Sequence, residues 1–157
     1  GTYMTLSTLH QVFQQEDNGF NVQCIIVHPT FAEPDVSIIP ITVYFSPVQK
    51  QVHTFYQIPL NRDYDVIFRF SANPRPTALK WSFGRNFQEM INVIEIPFHS
   101  AKFSTSLIIH ANGNYTAILT LAEITNEDIE TKYKLHVANE IGKADYSIIL
   151  SEDKNPI

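Results

Sequence analysis

The chain has 157 residues, of which 44% are hydrophobic, 12% aromatic and only 17% charged, so its composition is that of a globular protein and excludes wholesale disorder. A net charge of -5 argues against a nucleic-acid partner, because phosphate binding needs a basic surface. No stretch reaches the about 18 consecutive apolar residues of a membrane helix, and the first residues predict no signal peptide.

The first 46 residues predict short β-strands. Residues 22–27 and 38–45 are rich in β-branched and aromatic residues, and Asp17-Asn18-Gly19 is a turn signal before the first of these runs. Residues 5–14 have the best helical spacing, but they include three poor helix formers, so no helix is predicted there. A polar break at residues 46–50 predicts a domain boundary between residues 46 and 47.

Residues 47–151 continue as short strands separated by turns. The runs lie at 66–70, 107–109, 117–121, 133–137 and 146–150, and in 133–137 every second residue is apolar, which sends these side chains to one face of a strand. Asn112-Gly113 is a strong hairpin signal, because both residues tolerate positive φ. A length of about 100 residues with frequent turns predicts an all-β, antiparallel sandwich.

The motifs around these strands resemble an I-type immunoglobulin domain, a Greek-key antiparallel β-sandwich. The run that ends in Asn73-Pro-x-Pro before Trp81 is similar to strands B and C of that family, and it puts Phe68 at the first cysteine position. The motif from Tyr133 to Ala144 is similar to strands F and G, and it puts Leu135 at the second. The resemblance implies that Phe68, Trp81 and Leu135 form an apolar pin where the family has a disulfide, and that Tyr133 makes a tyrosine-corner contact.

One departure from the family lies just before strand F. Asp128 stands one residue earlier than the family's aspartate, at the position before Ile129. The resemblance therefore implies that the turn leading to Tyr133 is one residue longer than usual.

Residues 16–29 resemble the end of a second immunoglobulin domain, as found in nectin-like, Kirre-like and fasciclin-type adhesion molecules. The resemblance implies a strand E at about residues 3–13, a strand F that contains Cys24, and a strand G at 36–45. Cys24 is then a disulfide candidate whose partner lies outside the chain. Two or three strands are marginal alone in water. We therefore expect either that upstream residues complete residues 1–46 or that two copies pair through them.

No pattern indicates catalysis or a bound metal. The six histidines form no HxH, HxxxH or HExxH motif, and a single cysteine completes no zinc set. The carboxylates of Asp63 and Asp65 are too few for calcium, and no G-x-S-x-G elbow is present. We predict no enzyme, catalytic residue, cofactor, metal or small-molecule substrate.

The only N-glycosylation sequon is Asn114-Tyr115-Thr116, next to the predicted hairpin turn. A turn is exposed to solvent, so the sequon predicts a glycan on Asn114. The alternative is that this tripeptide occurs by chance and is not glycosylated, since such tripeptides also occur in intracellular chains.

The resemblance implies an ectodomain fragment of an immunoglobulin-superfamily adhesion receptor, with a homophilic or heterophilic protein partner, at the cell surface, and with a membrane anchor outside this fragment. Residues 152–157 would be a tail or stalk. The alternative is a cytoplasmic, titin-like array, where disulfide-free domains are common. Cys24, the His28-Pro29 motif and the sequon favour adhesion, whereas the absent disulfide in the complete domain favours the array.

In the family, the customary binding face is the sheet of strands C, F and G, although in nectin-like proteins the outermost domain makes the contact and a domain like this one is a spacer. The outward residues of that face would be mostly cationic and would suit an acidic partner. The alternative role of exposed lysines on strands is to prevent edge-to-edge pairing. The predicted residues are Lys80, Ser82, Lys132, Lys134 and His136.

Overall fold

The computed structural model describes residues 2–48, 52–85 and 93–156. The chain divides into two compact units, Gly1–Val43 and Tyr44–Ile157, while the predicted domain boundary between residues 46 and 47 stays a prediction. Within the described ranges, no helix is long and apolar enough to cross a lipid bilayer. The elements are β1 (Asn21–Ile26), β2 (Asp35–Pro40), β3 (His53–Phe55), β4 (Tyr64–Ser71), β5 (Ala78–Gly84), β6 (Ile94–Glu95), β7 (Phe103–Ile109), β8 (Asn114–Leu121), α1 (Asn126–Glu130), β9 (Lys132–Ala138) and β10 (Lys143–Leu150).

The first unit contains a single antiparallel pair of strands among its described residues. Strand β1 pairs with β2 from Asn21 opposite Pro40 to Ile26 opposite Asp35. The predicted strand at residues 3–13 is wrong, because these residues pair with no other segment and their side chains are exposed. The predicted strand at 36–45 is shorter than expected, since β2 ends at Pro40. Beyond it, Ile41 still exchanges backbone hydrogen bonds with the segment before β1, at Phe20 and Gly19.

The second unit is a sandwich of two sheets, which confirms the predicted all-β fold. One sheet has the strand order β3-β10-β9-β5-β6, and the other has the order β4-β8-β7. All pairs are antiparallel except β3 with β10, which run parallel. Strand β9 therefore lies at the centre of the larger sheet, a position that matters for the surface described below.

The core between the sheets follows from the alternation in the sequence. In β9, Tyr133, Leu135 and Val137 are buried, and the residues between them face outward. Trp81 lies opposite Leu135 across β5 and β9. Phe68, on the facing sheet, packs its ring against that of Tyr146 with the centroids 4.7 Å apart. Large apolar side chains thus occupy the region where the resemblance placed a disulfide.

Helix α1 precedes β9 and explains the displaced aspartate. The carboxylate of Asp128 accepts hydrogen bonds from the backbone N–H and the hydroxyl of Thr125, at 2.8 and 3.0 Å, and so caps the helix. The hydroxyl of Tyr133 donates to the carbonyl of Asp128 at 3.2 Å, which is the partner of the tyrosine corner. The extra residue before strand F is therefore accommodated by a full helical turn.

Two turns need glycine for different reasons. The hairpin between β7 and β8 turns at Asn112 and Gly113, with φ of 59° and 75°, as the sequence predicted. A Cβ on Gly113 would lie 2.7 Å from the carbonyl oxygen of Ala72. At the turn between β9 and β10, a Cβ on Gly142 would lie 2.9 Å from the Cβ of Ser46, so the segment that enters the second unit packs directly against this turn.

Candidate functional site

The outward side of the larger sheet brings together all five residues that the sequence assigned to a binding face. Lys80 on β5 lies opposite His136 on β9, and Ser82 lies opposite Lys134. Lys132 is the first residue of β9, two residues before Lys134 and on the same side of the strand. We call this surface, with the residues of β10 opposite β9, the outer face of the five-stranded sheet. That these residues share a face is a structural finding, while their role in binding stays a prediction.

One ion pair and one contact between an imidazole and a carboxylate link side chains on this face. The ammonium of Lys80 donates to Glu95 of β6 at 3.3 Å, with both side chains more than half exposed. Nδ1 of His136 lies 2.5 Å from the carboxylate of Asp145 on β10. Exposed pairs of this kind contribute less than about 1 kcal/mol. Their effect is to order the charges on the face and not to stabilise the fold.

Among its described residues, the outer face carries more lysines than carboxylates. Four lysines, Lys80, Lys132, Lys134 and Lys143, lie in this described part of the face beside two carboxylates, Glu95 and Asp145, on a chain whose net charge is -5. Edge protection does not explain Lys132 and Lys134, because β9 is flanked by β10 and β5 and has no free edge. The two lysines of β9 therefore lie at the middle of a sheet face and not at its edge.

Three charged residues of this face were not predicted from the sequence: Asp145, Glu95 and Lys143. Asp145 could have been predicted from the turn between Asn139 and Gly142, because that turn fixes which residues of β9 and β10 face each other. Counting residues outward from the turn on both strands places Asp145 opposite His136. Glu95 gave no such signal, because β6 has only two residues.

Asn114 lies on the opposite side of the sandwich, on the outward side of the three-stranded sheet. It is exposed, directly after the Asn112-Gly113 turn and opposite Ser71 of β4. Its side-chain oxygen accepts a hydrogen bond from the Ser71 hydroxyl at 2.7 Å, and its side-chain nitrogen donates to the carbonyl of Ala111 at 3.0 Å.

Cys24 is a free, exposed thiol in β1, where it lies opposite Ser37. The predicted disulfide partner is outside the chain, so its pairing stays a prediction. Apolar side chains that surround it on both strands are exposed as well, and they include Phe20, Ile26 and Ile39.

The remaining polar clusters are structural. Among the described residues, no group of three His, Cys, Asp or Glu side chains could hold a metal ion. A surface groove of about 550 Å³ lies beside Asp63 and Lys102, but the Lys102 ammonium is already bound to the carbonyls of Ala122 and Glu123 and to the Asp128 carboxylate. This groove therefore offers no free cation to a ligand.

Two tyrosines have strongly perturbed acidity, and both belong to the core. Burial raises the pKa of Tyr146 to about 12. Burial, and secondarily the negative charge of Asp128, raises the pKa of Tyr133. A phenol that stays neutral to high pH inside a packed core is a structural group and not an acid–base catalyst.

Several solved structures have a similar fold. The complex of Dpr2 Ig1-Ig2 with DIP-Theta Ig1-Ig3 gives a TM-score of 0.57 at 19% identity, over 82% of this chain and 39% of that one. A titin tandem of Ig domains gives 0.54 at 16% identity, over 90% of this chain and 65% of that one. The titin M4 domain gives 0.51 at 17% identity, over 70% and 98%.

These similarities, at under 20% identity, show the fold: an immunoglobulin-like β-sandwich. The chain spans about two fifths of the first structure's length, and slightly less than two thirds of the titin tandem's. No protein-family model and no curated protein matches the sequence.

Proposed function

We propose that this chain is part of the extracellular region of an immunoglobulin-superfamily adhesion receptor, and that it contacts another protein without turnover or cofactor. The observation that carries the proposal is the cationic outer face of the five-stranded sheet, centred on β9. Because β9 has neighbours on both sides, Lys132 and Lys134 protect no edge. We infer that these lysines serve to recognise the surface of a second protein.

The partner that suits this face is an acidic protein surface. Opposite potentials steer the encounter of two proteins and suppress wrong partners, and like charges placed face to face cost several kcal/mol. Two copies that met through this same face would bring two surfaces together on each of which lysines outnumber carboxylates among the described residues. We therefore propose heterophilic rather than homophilic contact. One structure of similar fold is a complex between two chains of Ig domains, which is a precedent for protein–protein contact by this fold.

The second candidate is a structural array of the titin type, inside the cell. The observation that favours it is the core around Phe68 and Leu135, which needs no disulfide and so suits a reducing compartment. The similarity to titin domains agrees with both candidates, because it reports the fold alone. In the array, the outer face would be a solvated surface without a partner.

Display of the full chain on cells that lack other adhesion proteins separates the two candidates. We expect clusters between these cells and cells that do not display the chain, and fewer clusters with Lys80→Glu/Lys134→Glu. Arg69→Glu is the matched control, because Arg69 is exposed on β4 of the other sheet, and it should cluster like the parent chain. Absence of clustering, or an equal loss in both variants, would contradict the adhesive role of this face.

A further inference from the structure

We propose that Asn114 carries an N-linked glycan and that this glycan covers the outward side of the three-stranded sheet. The inference rests on the proposed function, because N-linked glycans are added in the secretory pathway. Two independent observations carry it: the hydrogen bonds of the Asn114 amide, and an exposed apolar patch on the same surface.

The amide of Asn114 is held in a geometry that a glycan preserves. Its oxygen accepts from Ser71, and one of its two N–H groups donates to the carbonyl of Ala111. Among the described residues, the second N–H has no acceptor. Glycosylation replaces one amide hydrogen and leaves one N–H on the nitrogen, and it does not alter the oxygen that accepts from Ser71.

The reaction is a glycosyl transfer from a lipid pyrophosphate-linked oligosaccharide. The amide nitrogen forms a C–N bond to the anomeric carbon, the C–O bond to the pyrophosphate breaks, and the lipid pyrophosphate leaves with the electron pair. The amide proton goes to a base of the transferase. No oxidation or reduction is involved.

The third residue of the sequon fixes when the transfer occurs. Thr116 is only 5% exposed, and its hydroxyl lies 2.8 Å from Nε2 of His110. The hydroxyl that defines the sequon is therefore inaccessible in the folded sheet. Transfer takes place on the chain before β8 pairs with its neighbours.

Three isoleucines form an apolar patch on the same outward surface. Ile67 of β4 lies opposite Ile118 of β8, and Ile108 of β7 lies opposite Thr116, next to them. Ile67 and Ile108 are 48% and 46% exposed. From the dimensions of a β-sheet, Ile108 is about 8 Å from Asn114, and Ile118 is about 13 Å away. A branched oligosaccharide attached at Asn114 lies over these side chains.

The glycan and the cationic face then lie on opposite sides of the sandwich. The sugar excludes proteins from the three-stranded sheet, and it leaves the outer face of the five-stranded sheet open. The glycan thus blocks one side of the sandwich, and the side that the adhesive partner contacts stays open with or without it.

Occupancy is tested on the full chain secreted from a eukaryotic cell, by mass spectrometry of the peptide that contains Asn114. We expect that peptide to carry the mass of an oligosaccharide in the parent chain and in Ser71→Ala, and to lack it in Asn114→Gln. Ser71→Ala is the matched control, because it removes the hydrogen bond to Asn114 and keeps the sequon. An unmodified peptide from the secreted parent chain would overturn the proposal.

Coverage is tested by the rate at which a bulky maleimide alkylates an introduced thiol in the Cys24→Ser background. We expect Ile108→Cys to react several-fold more slowly with the glycan than after Asn114→Gln. Ser147→Cys, on the outer face of the other sheet, should react equally fast in both forms. Equal rates at Ile108→Cys would overturn the coverage. Neither failure affects the adhesion test, in which Asn114→Gln should cluster like the parent chain.

Discussion

At the scale of single residues, Phe68 and Leu135 show how the sandwich holds its two sheets together without a disulfide. A native disulfide contributes about 2–5 kcal/mol, and burial of each large apolar side chain contributes about 1.5–3 kcal/mol. Phe68, Trp81 and Leu135 are all less than 5% exposed, so they receive nearly the full benefit of burial. Tyr146 extends the same cluster through its ring contact with Phe68.

Lys102 and Lys80 form ion pairs that differ in burial, and we expect them to differ in their contribution to stability. Lys102→Met should lower the free energy of unfolding by about 1–3 kcal/mol, since it removes the cation beside the nearly buried Asp128 carboxylate, which keeps only the donors of Thr125, and the Lys102 donor of two carbonyls. Lys80→Met, the matched control, removes an exposed pair and should change it by less than about 0.5 kcal/mol. Denaturant titration of the two variants measures both values. Equal losses would mean that the pair of Lys102 with Asp128 contributes no more to stability than the exposed pair of Lys80 with Glu95.

The raised pKa of Tyr146 predicts that stability falls at alkaline pH. The folded pKa is about 12, and the pKa of an unfolded tyrosine is about 10, so between these values the unfolded chain loses a proton that the folded chain retains. The contribution of Tyr146 is complete below pH about 10 and is lost as the pH rises toward 12, with a slope of about 1.4 kcal/mol per pH unit. Tyr146→Phe should reduce the measured slope by that amount. A slope that Tyr146→Phe leaves unchanged would contradict the burial of this hydroxyl.

At the scale of elements, the turn between β9 and β10 holds the segment that enters the second unit. The side-chain amide of Asn139 donates to the carbonyl of Phe45 at 2.9 Å and to the carbonyl of Pro74 at 3.0 Å. Phe45 also pairs with Asn73 through two backbone hydrogen bonds. The Asn-x-x-Gly motif therefore fixes both the turn and the entering segment, which explains why Tyr44–Ile157 forms one unit.

Close packing at this turn predicts that Gly142 tolerates no side chain unless Ser46 gives way. Gly142→Ala should be destabilising by about 1–3 kcal/mol, because the new Cβ would lie 2.9 Å from the Cβ of Ser46. Ser46→Gly in the same chain removes the obstructing atom and should restore most of the loss. Thermal unfolding of the single and double variants measures this coupling. A double variant as unstable as Gly142→Ala alone would show that the contact is not the cause.

The alternation of apolar and polar residues predicted the strands that bury one face in the core. It did not predict the short elements, whose conformation depends on contacts with other parts of the fold. The strands β4, β8, β9 and β10 were predicted within a few residues, because their inward positions are apolar at every second place. Strands β3 and β6 were missed, since two or three residues carry no measurable period. Helix α1 was also missed, although Thr125 with Asp128 three residues later is a capping-box signal.

In the candidate site, likewise, the residues on regular strands were predicted and their partners on neighbouring strands were not. The register of β5 and β9 placed Lys80, Lys134 and His136 on one face, as the resemblance implied. The neutralising partners, Asp145 and Glu95, depend on neighbouring strands and were not predicted. The strand at residues 3–13 was wrong, because strand propensity forms no ladder without a neighbouring strand to pair with.

At the scale of the whole molecule, the two units differ in how they bury their strands. The unit Tyr44–Ile157 encloses a continuous core between two sheets. In the unit Gly1–Val43, β1 and β2 expose apolar side chains on both faces of the ribbon, which include Phe20, Ile25, Ile26, Val36, Ile38 and Ile39. A two-stranded ribbon is marginal alone in water, and an exposed apolar edge recruits partners.

This difference predicts how the chain and its second unit sediment. A shortened chain of residues 44–157 should fold and remain a monomer, whereas the full chain should self-associate through β1 and β2. Sedimentation velocity with and without reductant measures both, and a dimer lost on reduction would assign the contact to Cys24. A monomeric full chain, with amides of residues 21–40 protected from hydrogen exchange, would show that the first unit buries its strands in another way.

The proposed adhesive face is tested most directly by lysine acetylation of the cell-displayed full chain, read residue by residue with mass spectrometry before and after contact with partner cells. We predict that acetylation slows at Lys80, Lys132 and Lys134 on contact, because the partner surface covers the outer face of the five-stranded sheet. Lys154, which is exposed near the end of the chain, should react at an unchanged rate. Unchanged rates at all three lysines in clustered cells would contradict the account, since the partner would then be bound elsewhere.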